Sequence, residues 1–473
     1  MFPTSRLIAL ANLPLAAAAG ALLWHSLDWP LVGDAAIFHF IAEQMRMGAI
    51  PYRDVYDVNM PLVYFLHLAI VALAGMSDAA WRAFDLAAAA VMCGLVLTLL
   101  WPAGRGVAVH GALVALLMHL LLGPYSAGQR DYLMTIAALA VTLVSARAAE
   151  TPENNRIKLS LAGAFAAIAA SIKPTGVLLF ALPAIGLARL RWHDAIWTML
   201  GAAAVALLVG GLLAESGALA GFIAMGRRIM PLYASMGLRP LDDVVRDTAV
   251  WLAPTGGLAL AAALTIARAK PPRLRVIIGL TLFGVVHLFA QRKGWFYHVY
   301  PLGLGLICWG AWGLGALSTL RSVLCVTVTA AALAWLVPGA LTQARSYPDL
   351  RAASAMQRAL ESRLPRGARV QVLDADNGAF LAMARAGMRQ ATPHIQWFSL
   401  LLATNAVRED FIAALEADPP AAILLTNAQW PRASGFDAAD GWPAFARLIA
   451  SQYALEQTGD DDGIAWRLYV RRR

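Results

Sequence analysis

The chain has 473 residues, of which 59% are hydrophobic and only 14% are charged. Soluble domains are about 45–50% apolar and about 25% charged, so this composition excludes an ordinary soluble protein and indicates one that crosses a membrane several times. The formal net charge is +9. The basic residues are scattered rather than gathered in one tract, which argues against nucleic acid as a partner.

Eleven apolar segments approach the ~20 residues that a helix needs to cross hydrocarbon. They lie at residues 6–27, 80–101, 107–123, 131–149, 159–173, 175–190, 195–214, 249–268, 275–290, 299–319 and 321–341. Residues 61–75 form a further apolar run that is short for a full crossing. The sequence therefore predicts a polytopic α-helical membrane protein with about 11–12 apolar helices.

Basic residues predict which loops face the cytoplasm, because cytoplasmic loops carry an excess of Lys and Arg. Short loops on alternate sides of successive spans contain Arg156, Lys158, Arg189, Arg191, the segment 268–275 and Arg321. If these loops are inside, the C-terminal part is outside. With an inside N-terminus, residues 28–60 are outside as well, provided that 61–75 does not cross the membrane but returns to the outer face. The other solution has an outside N-terminus with 61–75 crossing, which would separate the first loop from the other polar segments.

A polar stretch, GDAAIFHFIAEQMRMGAIPYRDVYDVNMP, separates the first predicted span from residues 61–75. Its apolar residues Ile37, Phe38 and Ile41 recur at helical spacing on one face. This pattern predicts a helix that lies along a membrane surface instead of crossing it. Asp34 stands at the N-terminal end of this helix, where a carboxylate is favourable and can also cap the helix.

The composition changes after Gln343, where helical patterns alternate with short apolar strands. Helices are predicted at 349–363, 406–417 and 442–451, and strands at 369–373 and 421–426. A closing pair of strands, YALEQT and GIAWRLYV, flanks the turn-like GDDDG. We therefore predict a transmembrane domain at 1–342, with the first outer loop at 28–60, and a small α/β extracytoplasmic domain at 343–473.

Three sequence patterns resemble the GT-C glycosyltransferases that use polyprenyl-phosphate sugars. GDAAIFHFIAEQMRMGAIPYRDVYDVNMPLVYFL resembles the first outer loop of that group, which includes the protein O-mannosyltransferases and the lipid A aminoarabinose transferases. GQRDYLMT at 128–135 resembles the acidic residue that opens a later span, and the C-terminal helix and strands are a third match. The resemblance implies a GT-C-like fold and a hexosyl- or pentosyltransferase that moves a sugar from a polyprenyl-phosphate donor to a lipid, glycan or protein acceptor.

The chain departs from the group's pattern at two positions. Many relatives have a second carboxylate beside the first, whereas Ala35 follows Asp34 here. This departure leaves the use of a divalent metal open, and no metal ligands are assigned. Several relatives also carry Lys or His before the proline of the next helix, where this chain has Asn59-Met60-Pro61. The phosphate-binding role would therefore fall to cations elsewhere.

By this resemblance, Asp34 is the catalytic base. Sugar transfer from a phosphate leaving group passes through an oxocarbenium-like state, and a carboxylate can deprotonate the acceptor hydroxyl and stabilise that charge. Cations can hold the departing phosphate. The predicted substrate-binding residues are charged or titratable groups close to apolar segments: Asp57, Arg130, Asp131, Lys173, Arg292, Lys293 and His298.

All of these residues except Asp57 also have a purely structural interpretation. Asp34 would then be a helix cap, and Arg130 and Asp131 would pair with one another or anchor a helix end. Lys173 would snorkel to the headgroups, and QRKGWFYHVYP at 291–301 would be an interfacial aromatic belt.

A transporter or flippase of an anionic lipid-linked intermediate is the alternative function, since the same cations could act without bond cleavage. A membrane scaffold whose outer domain binds a partner is a third. Transporters often show related halves or paired broken helices, and the sequence shows no such repeat. The glycosyltransferase hypothesis places the protein in the bacterial inner membrane, with its active site and C-terminal domain on the extracytoplasmic side.

Overall fold

A computed structural model describes residues 4–151, 153–187, 191–268, 271–342, 347–374, 377–396, 405–427 and 435–473. The chain divides into two compact units. The helical unit comprises Met1–Pro30, Asp78–Val209 and Leu238–Ala344. The sheet unit comprises Leu31–Ser77, Gly210–Gly237 and Arg345–Arg473. The domain boundary predicted at residue 343 stays a prediction.

Most of the long apolar helices belong to the helical unit. They are α1 (Thr4–His25), α4 (Asp78–Leu100), α5 (Arg105–Leu121), α6 (Arg130–Glu150), α7 (Asn155–Ile172), α8 (Leu182–Leu187), α9 (Trp192–Glu215, which continues into the sheet unit), α12 (Leu241–Trp251), α13 (Gly256–Thr265), α14 (Pro272–Gln291), α15 (Tyr300–Leu314) and α16 (Thr319–Thr342). A 3-10 segment, Pro174–Ala181, precedes α8. Every predicted apolar segment overlaps one of these helices or a pair of short ones.

Within the described residues, six helices are long and apolar enough to cross a membrane. They are Arg6–His25, Asp78–Ala103, Arg130–Glu150, Trp192–Glu215, Pro272–Gln291 and Thr319–Thr342. The pair Leu241–Trp251 and Ala253–Thr265, bent by 61°, would make a seventh if it counts as one span. These helices and the composition identify an integral membrane protein, as predicted.

Polar contacts separate two ends of the helical unit. At one end, Arg273 at the start of α14 donates to Glu150 at the end of α6 (2.8 Å) and to the carbonyl of Leu99 near the end of α4 (3.1 Å). Asp131 and Lys173 meet where α6 begins and α7 ends. Since α6 begins where α7 ends, the loop from α6 to α7 with its basic residues belongs to the opposite end from Asp131.

The sheet unit combines helices with one five-stranded sheet. Its helices are α2 (Asp34–Arg46), α3 (Pro61–Ala74), α10 (Leu219–Arg228), α11 (Met230–Ser235), α17 (Pro348–Arg363), α18 (Ala379–Arg385), α19 (Asn405–Ala417), α20 (Asp437–Asp440) and α21 (Pro443–Gln452). Its strands are β1 (Arg369–Leu373), β2 (Arg389–Gln390), β3 (Ala422–Thr426), β4 (Tyr453–Asp461) and β5 (Ile464–Arg471).

The sheet has the strand order β2-β1-β3-β5-β4. The first three strands are parallel, and β5 and β4 run antiparallel to their neighbours. A buried cluster that includes Phe411, Ile423 and Phe445 packs on it. The predicted C-terminal helices and strands are confirmed, and the small α/β domain with them. Helices α18 and α20 and strand β2 were not predicted, because they are too short to show a clear period.

The predicted helix of the first loop is confirmed as α2, and its position along a membrane surface stays a prediction. Residues 35–44 are all buried, so the polar face of the helix is covered as well as its apolar face. Phe40 contacts Phe380 of α18 with ring centroids 5.4 Å apart. The following helix α3 has 14 residues and is about 21 Å long at 1.5 Å per residue. That is short of the ~30 Å of hydrocarbon, so the length of α3 favours the arrangement in which it returns to the same face.

Candidate functional site

A buried acid at one end of the helical unit gathers several of the predicted site residues. Asp131 is fully buried at the second position of α6. Lys173 directly follows α7 in an extended backbone conformation. Its Nζ lies 2.6 and 2.7 Å from the two carboxylate oxygens of Asp131. His287 of α14 lies 2.6 Å from the same carboxylate through Nε2. Asp131 therefore fixes the ends of three helices at one point and pairs with Lys173.

His287, which contacts Asp131, was not among the predicted site residues. Its Nδ1 lies 2.8 Å from the hydroxyl of Thr175. Because a carboxylate only accepts hydrogen bonds, Nε2 donates to Asp131 and Nδ1 accepts from Thr175. An ionisable residue inside an apolar span was the available signal, since such residues commonly mark functional positions.

Lys293 lies in the loop after α14 and is only 8% exposed. Burial, followed by the positive charges of Lys173 and Arg130, lowers the pKa of Lys293 to about 7. Since charges act on a pKa only from nearby, Lys173 and Arg130 lie near Lys293. Arg130, Lys173 and Lys293 thus form an electropositive group, which we call the cation cluster. Such a cluster suits an anionic ligand such as a phosphate.

His298 and Arg292, the other predicted residues near α14 and α15, differ in their surroundings. His298 lies in the 3-10 turn before α15 and is buried, with its ring 6.1 Å from the ring of His287. Its Nδ1 has no hydrogen-bond partner among the described residues. Burial and the charge of Lys173 hold the pKa of His298 well below its usual range. Arg292 instead donates to the backbone carbonyl of Arg239 (3.2 Å) and so ties two loops together.

A second buried network in the helical unit escaped the sequence analysis. Asp85 of α4 pairs with Arg82 and lies 3.1 Å from His119 Nε2. The hydroxyl of Tyr300 contacts His119 Nδ1 at 2.7 Å, and Arg82 also reaches Ser26. Arg82 and Asp85 fall inside the predicted span 80–101, where two charges three residues apart were the signal that could have found them.

This network holds the turn that leads into α6. The backbone N–H of Gly128 donates to Asp85 (2.8 Å). Gly128 has φ +58°, and the ring of Trp81 occupies the place where a side chain at this position would lie. Both constraints require glycine, which gives a physical reason for the first residue of GQRDYLMT. Asp85 therefore positions the segment that carries Arg130 and Asp131.

Asp34 is the half-buried first residue of α2 in the sheet unit. Gly33, with φ 62°, occupies the N-cap position and α2 has no side-chain cap, so the interpretation of Asp34 as the cap is wrong. The helix is anchored at its other end by Gln44. Its amide donates to the carbonyl of Met388 and accepts from the N–H of Gln390, both at 2.9 Å.

Asp57 lies in the loop between α2 and α3 and is buried. One of its carboxylate oxygens accepts hydrogen bonds from Tyr64 (2.7 Å) and Asn59 (2.5 Å). Tyr52 donates to the backbone carbonyl of Asn59 (2.7 Å). These contacts order the loop that follows α2. Within the described ranges, His, Cys, Asp and Glu side chains form no group of three that could hold a metal ion.

The fold defines a class of protein: a polytopic α-helical membrane protein with a small α/β domain. No protein-family profile matches the chain, and no curated protein matches it in sequence. Solved structures of low sequence identity do match its fold.

ArnT from Cupriavidus metallidurans bound to undecaprenyl phosphate aligns with a TM-score of 0.62 at 13% identity, over 96% of this chain and 97% of that one. The arabinofuranosyltransferase AftD from Mycobacteria gives 0.54 at 13%, over 97% of this chain and 40% of that one. AglB from Archaeoglobus fulgidus with an inhibitory peptide and a dolichol-phosphate gives 0.50 at 11%, over 98% and 74%. The GT-C fold predicted from the first loop and GQRDYLMT is confirmed.

Proposed function

We propose that this chain is a glycosyltransferase that moves a sugar from a polyprenyl-phosphate donor to a hydroxyl group of an acceptor on the outer face of a membrane. The observation that carries the proposal is the cation cluster at the end of the membrane helices, where Lys293 is buried beside Lys173 and Arg130. A lipid phosphate is an anion that reaches such a place from the bilayer. ArnT and AglB, which share the fold, were solved with undecaprenyl phosphate and dolichol-phosphate.

The cation cluster would bind the donor phosphate and hold it as the leaving group. Charge-assisted hydrogen bonds to an ionised partner are shorter and stronger than neutral ones. Asp131 orients Lys173 and is itself fixed by His287. His298 offers Nδ1, which is unsatisfied among the described residues, as a further hydrogen-bonding group for the phosphate. With its negative charge held in this way, the phosphate can depart without a proton.

Asp34 would act on the acceptor. The carboxylate takes the proton of the acceptor hydroxyl while the acceptor oxygen bonds to C1 of the sugar. The bond between C1 and the phosphate oxygen breaks, and its electron pair stays with the polyprenyl phosphate. Asp34 also stabilises the positive charge that develops at C1. This role rests on the resemblance of its loop.

The orientation follows from charge. Basic residues of the predicted cytoplasmic loops, such as Arg273, lie at the opposite end of the helical unit from Asp131. The positive-inside rule then places Asp131 and the cation cluster on the outer side. In a bacterial inner membrane this is the extracytoplasmic face, where a polyprenyl-linked sugar would be consumed.

Binding of undecaprenyl phosphate to the purified full-length protein in nanodiscs tests the proposal. We expect Lys293→Met to weaken binding by about 10- to 100-fold, since a hydrogen bond to a charged group is worth ~1.5–3 kcal/mol. Lys293→Arg should lose less. Lys158→Met is the matched control, because Lys158 contacts the carbonyls of Thr151 and Glu153 in the loop between α6 and α7.

Equal affinity of the Met variant and the native protein would remove Lys293 from the donor site. Transfer is then measured with radiolabelled polyprenyl-phosphate sugars and a membrane lipid and glycan extract as acceptor. Movement of an intact lipid-linked sugar across the bilayer without release of polyprenyl phosphate would establish the transporter instead.

A further inference from the structure

The sheet unit contains a cavity of about 270 Å³. Arg130, Lys173 and Lys293 of the cation cluster are not among the residues that line it. Buried side chains of Met225, His394 and Phe411 line it, and Tyr56, Arg228 and Asp410 bring polar groups to it. Arg228 and Asp410 are exposed. The cavity therefore has a closed apolar side and a polar side open to solvent.

Three segments that are distant in sequence build this cavity. The N–H of Tyr56 in the first loop donates to the carbonyl of Pro393 (2.7 Å). The ring of Tyr56 meets the ring of His394 edge to face at 5.1 Å, and His394 meets Phe411 of α19 in the same way at 5.8 Å. Helix α10 adds Met225 and Arg228. An ordered series of aromatic rings thus joins the first loop to the C-terminal domain.

The electrostatic character of the cavity favours a neutral ligand. Of the lining residues in the described ranges, the charged ones are one cation, Arg228, and one carboxylate, Asp410. Burial lowers the pKa of His394 to about 4, so its imidazole is neutral at pH 7. Tyr56 contributes a hydroxyl group. Paired donors and acceptors around an apolar floor suit a molecule with several hydroxyl groups and a nonpolar face, whereas a phosphate would favour the cation cluster.

We propose that this cavity binds a neutral sugar residue of the acceptor, so that the acceptor is a glycan or a glycolipid. The proposal deepens the proposed function and rests on it. A sugar ring packs its C–H face on Tyr56, while Arg228 and Asp410 bond its hydroxyl groups. The cavity belongs to the same compact unit as Asp34, the proposed base, and Tyr56 stands next to Asp57 in the ordered loop after α2.

Saturation-transfer NMR on the full-length protein in nanodiscs tests this site with a panel of methyl glycosides of glucose, mannose, N-acetylglucosamine and arabinose. We expect at least one glycoside to receive saturation. Tyr56→Ala and Arg228→Ala should each weaken its binding at least 10-fold. Arg227→Ala is the matched control, because this neighbouring exposed arginine does not line the cavity and its loss should change nothing.

Undecaprenyl phosphate binding is measured on the same samples and should be unchanged in all three variants, which also reports that they are folded. If no glycoside binds, or if it binds equally to the native protein and to the Tyr56 and Arg228 variants, the proposal is wrong. Saturation transfer to a Ser/Thr-containing peptide, with none to any glycoside, would replace it with a protein acceptor. A glycoside site in a protein that binds no undecaprenyl phosphate would overturn the proposed function and leave this cavity as a lectin-like site.

Discussion

At the scale of single residues, Asp34 is the position where catalysis and structure can be separated. Asp34→Asn should reduce sugar transfer by ~10²–10⁴-fold, because the amide cannot take the proton of the acceptor hydroxyl. Its effect on folding should be small. Asp34 is a first-turn residue and not the N-cap, and a first-turn carboxylate is worth only ~0.3–1 kcal/mol.

The measurement is turnover of the purified variant, with thermal unfolding and undecaprenyl phosphate binding recorded beside it. Asp54→Asn serves as control, since that carboxylate is engaged by Arg53 and by the N–H of Ile50 in the same loop. Near-native turnover of Asp34→Asn would refute the role of Asp34 as base.

Lys293 makes a second residue-scale prediction, on pH. The pKa of Lys293 is lowered to about 7 in the unliganded protein by burial and by Lys173 and Arg130. A phosphate binds the protonated form and raises the pKa, so affinity is fully present below pH 7 and falls as pH rises above it, by at most about 10-fold per unit.

Lys293→Arg stays protonated over this range and should show a flatter profile. The dissociation constant of undecaprenyl phosphate, measured from pH 6 to pH 9 in both proteins, checks this. Titration of the phosphate itself contributes equally to both profiles and cancels in the comparison. Parallel profiles would exclude Lys293 as the titrating group.

At the scale of elements, the junction of α4 with α6 should control donor binding from a distance. Gly128→Ala places a side chain against Trp81 and forces alanine to φ +58°, a conformation that costs ~1–2 kcal/mol for an L-residue. We expect weaker binding of undecaprenyl phosphate because the turn before Arg130 and Asp131 shifts.

Gly128→Ala combined with Trp81→Ala removes the steric overlap but not the backbone strain, so it should restore part of the affinity. Asp85→Asn should weaken binding as well, because it loses the charge that pairs with Arg82. Native affinity in both Gly128→Ala and Asp85→Asn would show that the network serves only to hold the helices together.

At the scale of the whole molecule, the topology depends on the short helix α3. An inside N-terminus with α3 returning to the same face puts Arg53 and Ser77 on one side of the membrane. Single cysteines at these two positions, in a protein whose native Cys93, Cys308 and Cys325 are replaced by alanine, should both react with an impermeant maleimide added to intact cells. Labelling at Arg53 with protection at Ser77 would mean that the segment crosses.

The sequence by itself determined most of the elements. Apolar runs of about 20 residues and the 3.6-residue period are local properties, so α6, α14 and α2 follow from a few neighbouring residues. A short apolar run likewise predicted β3, and the turn-like GDDDG between two strand patterns predicted the closing hairpin. The same local patterns marked Asp131, Lys173 and Lys293 as charged residues at the ends of apolar segments, and the resemblance of the first loop predicted the GT-C fold.

Only the tertiary structure decided what these residues do to one another. His287 lies 156 positions from Asp131 along the chain, and no local pattern indicates that it meets that carboxylate. Asp85 likewise reaches Gly128 across 43 positions. Helix α2 is buried on its polar as well as its apolar face, which the one-sided pattern of its sequence does not indicate, and it packs against both α3 and α18. Hydrophobic periodicity indicates which face of a helix is buried. Helix packing determines which groups surround each polar side chain, and those groups determine the charge and the chemistry of that side chain.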